Sequence, residues 1–259
     1  MVAEDEESKP FPATSEAKKE RDALRKLLRA DFVANTLLFL GGVFFIAFIS
    51  REIRTLCQRD PTADAIYSCV FFFFFVSGVT QMGIDLFWTR TASTGRYSTQ
   101  KQWNLLITGL FLSGTLSDFV GFLFWRQGGT GVPAERRSQW VGNHFWLLAA
   151  IIVLSLNYSR LQSRADKLDV VANVCFLMEA TLNVFARYFT DITPPDGDVL
   201  DITELRLELV ASVFWVLNAF FYLCANVCRL CDMWKHVKTV QYEVNEHPIT
   251  DMTEAPEDP

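Results

Sequence analysis

Four ionisable residues lie inside long apolar stretches of this 259-residue chain: Asp85, Asp118, Glu179 and Arg187. A charged side chain in hydrocarbon costs at least ~2.5 kcal/mol, so such residues usually face the interior of a helix bundle. Glu179, Asn183 and Arg187 are spaced four residues apart, which places them on one helix face as a polar ladder about 12 Å long. Such a ladder could pass a proton or small cation in steps. Pairing of Arg187 with Asp118 or Glu179 between helices explains the same residues, and it is the interpretation we favour.

A second polar set consists of Asp85, Asn157 and Asn226, which end three apolar stretches at equivalent positions. We expect them at the cytoplasmic ends of three helices, where a quasi-threefold polar ring could form a mouth or a selectivity site. Hydrogen bonding to neighbouring helices is the commoner role of such side chains, and it is the role we expect here.

A cluster of cysteines, Cys224, Cys228 and Cys231, occupies one helix face beside the expected membrane boundary. Cysteines at such positions are candidates for S-palmitoylation. A metal site would need more ligands than one Cys-x-x-Cys motif and His236 supply, and three histidines in the whole chain are too few for two bis-histidine haems. The chain also lacks the short motifs of nucleotide-binding and hydrolytic enzymes. We therefore predict no cofactor, no metal and no enzymatic activity.

The composition indicates an integral membrane protein. The chain is 50% hydrophobic and contains 23 Phe, arranged in long apolar runs between charged segments. The net charge of −6 comes mainly from the tails and from the segment at 190–204, and it argues against a nucleic-acid partner. The acidic N-terminus is unlike a secretory signal peptide, so we expect the first apolar run to direct membrane entry.

The apolar runs predict six transmembrane helices, each near the ~20 residues that cross a bilayer. They lie at 31–50, 66–88, 103–125, 140–158, 168–189 and 206–228. The chain is then divided into a cytoplasmic segment (1–30), the membrane bundle (31–230) and an acidic cytoplasmic tail (231–259). Within the first segment we predict a disordered tail and a short amphipathic helix from Ser15 that lies on the membrane surface.

The basic residues predict the orientation. Fifteen Lys and Arg flank the spans on the side of both termini, against seven on the other side. Because basic residues concentrate on the cytoplasmic side of membrane proteins, we expect both termini in the cytoplasm. The sequence does not identify the membrane.

An internal repeat organises the even-numbered spans. The segment 145–157, FWLLAAIIVLSLN, recurs at 214–226 as FWVLNAFFYLCAN and more loosely at 73–85 as FFFVSGVTQMGID. Each copy places a large ring, a small residue and a polar end group on one helix face. Small residues allow helix backbones to approach, so we expect close crossings at Gly78, Ala150 and Ala219. Ala219→Leu should then be more damaging than Ala211→Leu, which lies off this face.

The odd-numbered spans repeat as well. Residues 39–42, FLGG, match residues 111–114, FLSG, and residues 31–35, DFVAN, match residues 169–173, DVVAN. The fold class is therefore predicted to be an all-α membrane protein with six transmembrane helices in three tandem two-helix hairpins. These hairpins span 31–88, 103–160 and 168–230.

Hairpins with a Phe-Leu-small-Gly first helix and an aromatic-rich second helix resemble the YrhK-like two-helix membrane domain. The resemblance covers about two-thirds of the chain as three copies, and the third departs from it with Met178-Glu179 in place of the small residue and Gly. It implies the hairpin fold and carries no chemistry.

Two classes of function follow. The first is a membrane-embedded structural or interaction protein that contacts itself or other membrane proteins, for which the aromatic and small-residue faces suffice. The alternative is a channel or transporter for a small cation or proton that uses Asp118, Glu179 and Arg187. We expect the first, and the two differ in whether these charged side chains face water.

Overall fold

The computed structural model describes residues 15–55, 60–91, 96–127, 132–158, 162–192 and 202–246. They form six α-helices in chain order: α1 (Ser15–Thr55), α2 (Pro61–Thr91), α3 (Arg96–Gln127), α4 (Val132–Asn157), α5 (Arg164–Ile192) and α6 (Ile202–Glu246). Each contains a segment long and apolar enough to cross a membrane. The protein is therefore an all-α membrane protein of three tandem hairpins, as predicted. A helix suits this environment because it satisfies its backbone hydrogen bonds internally.

Two helix starts show why the chain turns where it does. The Oδ1 of Asp60 accepts a hydrogen bond from the backbone N–H of Thr62 at 2.9 Å, and Pro61 takes the first helical position of α2, where its missing N–H is harmless. The Arg51 side chain also donates to Asp60, and this bond holds the pKa of Asp60 below its usual range. A pair of reciprocal bonds between Ser163 and Asp166, at 2.8 and 3.1 Å, caps α5.

Two helices extend beyond the predicted spans. Helix α1 runs without a break from Ser15, so the predicted short helix is not a separate element and its residues continue the first span. No Gly or Pro lies between residues 15 and 40 to interrupt it. Helix α6 likewise continues to Glu246, into the predicted acidic tail. The predicted disordered segment at 1–14 lies outside the described residues.

The six helices form a closed ring. Each packs against the helices before and after it in sequence, α6 packs against α1, and among the described residues backbone contacts join only these neighbours. Neighbours are antiparallel: Ser77 of α2 bonds to the carbonyl of Ala34 on α1, and Arg51 bonds to Asp60. The start of α1 and the end of α6 therefore lie at one end of the ring, called the terminal end below. The opposite end is called the distal end.

One side chain fills the middle of the ring. The indole of Trp215 on α6 is 2% exposed and contacts an aromatic ring from each of α2 to α5. Its centroid lies 4.7–5.9 Å from those of Phe74, Phe111, Trp146 and Phe176. These five rings are called the aromatic layer. Phe74, Trp146 and Trp215 are the three repeated aromatic positions, so all three repeats direct their large ring into the core.

Small residues lie where the rings and backbones meet. A Cβ on Gly42 of α1 would lie 3.0 Å from Cδ1 of Trp215, and one on Gly114 would overlap the indole of Trp146. Ala150 and Ala219 are fully buried, as the predicted crossings require. Ala211 is fully buried too, so the prediction that it lies off the packed face is wrong. It lies four residues before Trp215 and therefore faces the same interior.

Candidate functional site

A cavity of about 340 Å³ opens inside the ring between the aromatic layer and the terminal end, and all six helices line it. We call it the terminal cavity. Its deep wall includes Leu38, Phe111 and Phe176, two of which belong to the aromatic layer. Its mouth lies near the helix ends, where Asn104 is exposed. The cavity is thus apolar at its floor and polar at its rim.

The described charged side chains at the rim are three carboxylates and one guanidinium. Asp31, Asp85 and Asp169 come from three different helices and line the cavity together with Arg229. Arg229 donates to Asp169 and, at 3.3 Å, to Oδ1 of Asn226. Asp85 is 6% exposed and accepts a hydrogen bond from Thr108 at 2.7 Å. Amide side chains continue the polar lining between rim and floor: Asn35, Gln81, Asn104, Asn157 and Asn218.

Two acceptor atoms of this lining have no hydrogen-bond partner. They are Oδ1 of Asp169, whose other oxygen takes the bond from Arg229, and Oδ1 of Asn218, whose residue is only 3% exposed. A buried acceptor without a donor costs about 1–3 kcal/mol. These two atoms are acceptors that an incoming donor would satisfy, and Nδ2 of Asn226 beside the cavity is an unpartnered donor.

A second polar region lies at the distal end. It brings together buried or half-buried groups from all six helices, and we call it the distal cluster: Glu52, Tyr67, Asp118, Glu135, Arg187, Glu204 and Glu208. Tyr67 donates its hydroxyl to Asp118. Within this described cluster, Arg187 faces four of the five acids.

Arg187 is held by the neighbouring helix α6. Its guanidinium pairs with Glu204 and, at 3.0 Å, with Glu208. The predicted pairing with Asp118 or Glu179 is therefore wrong: Asp118 bonds to Tyr67 and Glu179 to Asn183. The reason is geometric, because Arg187 points toward α6, where two glutamates spaced four residues apart present both carboxylates on one face.

The ladder on α5 is present as predicted. Glu179 is 1% exposed, and its Oε1 accepts a bond from Nδ2 of Asn183, the residue one turn away. Its Oε2 is buried without a partner. Asn183 also accepts, at its backbone carbonyl, a bond from Asn143 of α4 at 3.3 Å. Because Phe176 lies one turn before Glu179, this carboxyl group adjoins the distal side of the aromatic layer.

The predicted polar ring is only partly assembled. Asp85 and Asn157 line the terminal cavity, whereas Asn226 is buried beside it and is bonded to Arg229. Cys224 and Cys228 are half-buried and Cys231 is exposed, all as free thiols. Acylation of these three stays a prediction.

Several residues of the site were not anticipated from the sequence. They are Asp31, Asp169, Asn218 and Arg229 in the terminal cavity, and Glu204 and Glu208 in the distal cluster. A signal for the first two was present, since Asp31 and Asp169 begin the matched segments 31–35 and 169–173. The spacing of Glu204 and Glu208 was a second signal.

No protein-family model matches the chain, and no curated protein or solved structure matches it. The resemblance to YrhK-like hairpins therefore remains a prediction from the sequence.

Proposed function

We propose that the protein transports a small cation or a proton across the membrane along the axis of the helix ring. The observation that carries this proposal is the row of polar side chains on the inner face of α6, which continues on both sides of the aromatic layer. These polar residues, with Trp215 between them, are, in order, Glu204, Glu208, Ser212, Trp215, Asn218, Tyr222, Asn226 and Arg229. From Glu204 to Arg229 this face is roughly 38 Å long at ~1.5 Å per residue, longer than the ~30 Å hydrocarbon core.

Packing alone gives no reason for so many buried polar groups. The structural or interaction function that the small-residue faces favour accounts for the crossings at Gly114, Ala150 and Ala219. It does not account for an acidic cavity at one end and an acidic cluster at the other. Ionisable side chains inside a bundle that face a cavity mark ion or proton pathways, so transport explains both features.

The charge of the two polar regions selects the sign of the transported species. Among the described residues of both regions, carboxylates outnumber Arg229 and Arg187, and low-dielectric walls strengthen the attraction of a cation to carboxylates. Unpartnered acceptors adjoin the aromatic layer on both sides, at Asn218 and at Glu179. A cation or proton that passes Trp215 would therefore leave one acceptor and reach another.

The aromatic layer acts as the gate in this proposal. Trp215 and its four neighbours separate the terminal cavity from the distal cluster, and a water-free aromatic constriction is a barrier to ions. Passage requires Trp215 to move. With both termini in the cytoplasm, as the basic residues favour, the terminal cavity opens to the cytoplasm and the distal cluster faces outward.

The test is a flux assay with the full-length protein in liposomes. We expect a dissipation of an imposed proton, potassium or methylammonium gradient that exceeds that of empty liposomes. Glu179→Gln, which removes the titratable carboxyl group beside the gate, should lower the flux at least tenfold. Trp215→Ala, which opens the aromatic layer, should raise the leak.

The matched control for the gate is Phe220→Ala, on the same helix but facing lipid at 47% exposure; it should leave flux unchanged. Gel filtration confirms folding of each variant before reconstitution. Folded wild type and folded Trp215→Ala that both fail to pass any of the three ions would refute transport and leave the structural or interaction function.

A further inference from the structure

We infer that the floor of the terminal cavity binds a small uncharged aromatic molecule that carries a hydroxyl or N–H donor, a phenol or an indole in chemical class. The ring of this ligand lies against the aromatic floor, and its donor reaches the amide oxygen of Asn218. Such a ligand is distinct from the transported ion, and its site lies below the charged rim.

A buried acceptor at the floor has no donor. Oδ1 of Asn218 lines the cavity and receives no hydrogen bond, although the residue is only 3% exposed. Asn218 follows Trp215 by about one turn of α6, which places it beside the aromatic layer. A buried acceptor without a partner is destabilising, so a ligand that donates one hydrogen bond to this oxygen gains affinity.

The depth of the floor selects an uncharged ligand. The described ionised residues of the lining all lie at the rim. On α5, Asp169 precedes Phe176 by seven residues, and on α6, Arg229 follows Asn218 by eleven, which are about 10 and 16 Å at 1.5 Å per residue. A charged group at the floor would lose its hydration without an ion partner, so the floor favours a neutral molecule.

The side chains of the floor favour an aromatic ring. Phe111 and Phe176 line it, and the centroid of each lies 5.9 Å from that of Trp215. Aromatic side chains attract a further ring in offset or edge-to-face packing at similar distances. Leu38 and Val153 complete an apolar wall, which gains by burying ring carbons.

The cavity is large enough for such a molecule. Its volume of about 340 Å³ lies near the lower end of the ~300–1,000 Å³ typical of small-molecule pockets. Those pockets are mainly apolar and contain a few polar groups that fix the orientation of the ligand. Here Asn218 is the acceptor at the floor, and Gln81, Asn104 and Asn157 continue the polar lining toward the rim.

The binding test is fluorine NMR of 4-fluorophenol with the full-length protein in detergent at pH 7, where a phenol is uncharged. Micelles without protein give the background partitioning. We expect saturable binding of 4-fluorophenol and its displacement by phenol. Anisole has the ring without the donor, and cyclohexanol has the donor without the aromatic ring. Both should displace 4-fluorophenol about tenfold less well than phenol does, since each lacks one of the two contacts.

Three results of this test would overturn the inference. If anisole competed as well as phenol, the cavity would be an apolar pocket without a hydrogen-bonding preference. If cyclohexanol competed as well as phenol, the floor would not select an aromatic ring. If 4-fluorophenol showed no saturable binding above the background, water alone would occupy the floor.

Two variants locate the site. Asn218→Leu, which removes the acceptor at similar size, should weaken 4-fluorophenol binding about tenfold and abolish the preference for phenol over anisole. Phe176→Leu should abolish the preference for phenol over cyclohexanol. The matched control, Phe185→Leu on the same helix, faces lipid at 54% exposure and should bind like the wild type. Unchanged affinity and unchanged preferences in both site variants would overturn the placement. If either variant fails to fold, the comparison of probes on the wild type still decides.

This binding test uses no ion gradient, so its result is separate from that of the flux assay. Binding of 4-fluorophenol without flux would keep the aromatic ligand site and refute transport. Flux of protons or potassium without binding of 4-fluorophenol would keep transport and refute the site.

Discussion

The contacts of Arg187 show how a single side chain ties two hairpin arms together. Its guanidinium is 13% exposed and is held by Glu204 and Glu208, which are 4% and 18% exposed. Removing one member of a buried ion pair leaves the others charged and desolvated, which costs about 3–5 kcal/mol. Arg187→Ala should therefore lower the melting temperature measured in detergent substantially.

The rescue pattern identifies the partners. Replacing both Glu204 and Glu208 by Gln in the Arg187→Ala background should restore most of the lost stability, because no uncompensated charge then remains. Adding Asp118→Asn instead should restore little, since that carboxylate is bonded to Tyr67. The opposite ranking of the two rescues would contradict the pairing described above.

The residues of the site show what a single sequence can and cannot supply. Glu179 and Asn183 were predicted to share a face because helical spacing fixes it locally. The partner of Arg187 was missed because it depends on which helix lies beside α5 and how the chain turns after residue 192. Asn218 carried no sign of its role, because an Asn one turn from a Trp is equally common at a simple helix contact.

At the scale of the helices, the contact between α3 and α4 depends on two glycines. A Cβ on Gly142 would lie 2.9 Å from the carbonyl oxygen of Gly114 and 3.3 Å from Cβ of Ser117. Backbone atoms cannot give way as a flexible side chain can. Gly142→Ala should therefore destabilise the protein by about 1–3 kcal/mol through overpacking.

The matched control is Gly83→Ala on α2, where an added Cβ meets nothing within 4 Å. There the substitution should stabilise the helix by up to ~1 kcal/mol, because Ala is the better helix former. In detergent, the melting temperature should therefore fall for Gly142→Ala and rise for Gly83→Ala. If both variants shifted the melting temperature in the same direction, the contact between α3 and α4 would be looser than described.

The repeated small position on α6 gives a second test of helix packing. Ala219 is fully buried within the core cluster, so Ala219→Leu should lower the free energy of unfolding by about 1–3 kcal/mol. Ala47→Leu makes the same change at an exposed position of α1 and should be nearly neutral. Equal losses in the two variants would count against a close crossing at Ala219.

The helices themselves were predictable because their signals are local. Apolar length located all six spans, and the repeats located the hairpins. The extension of α1 back to Ser15 was missed because a change from charged to apolar composition was interpreted as a boundary. Composition marks where the bilayer begins, whereas only a breaker such as Gly or Pro marks where a helix stops.

For the whole molecule, the sequence predicted the faces of the helices but not the closed ring. The contact of α6 with α1 joins elements that are far apart in the chain, and periodicity shows which face is apolar without showing its neighbour. The terminal cavity follows from this closure, because its lining comes from every helix.

The orientation of the whole molecule is open to a direct test. Single cysteines at Ser8 and Glu254, in a background without the native cysteines, should react with an impermeant thiol reagent only after the cells are permeabilised. The expectation follows from the fifteen basic residues on the side of the termini against seven on the other. Labelling of either tail on intact cells would place the terminal cavity outside.

The central position of Trp215 also dictates an order of events during synthesis. The chain leaves the ribosome from its N-terminus, so helices α1 to α5 enter the bilayer first. Trp215, which contacts all five of them, enters only with α6. Until α6 arrives, they form an open arc: Gly42 has no indole beside it and Arg187 has neither glutamate. The last helix delivers Trp215, both glutamates that pair with Arg187, and Arg229 of the cavity rim in one insertion. A ribosome stalled before residue 202 would therefore hold an unclosed protein, and closure is an event of the final helix.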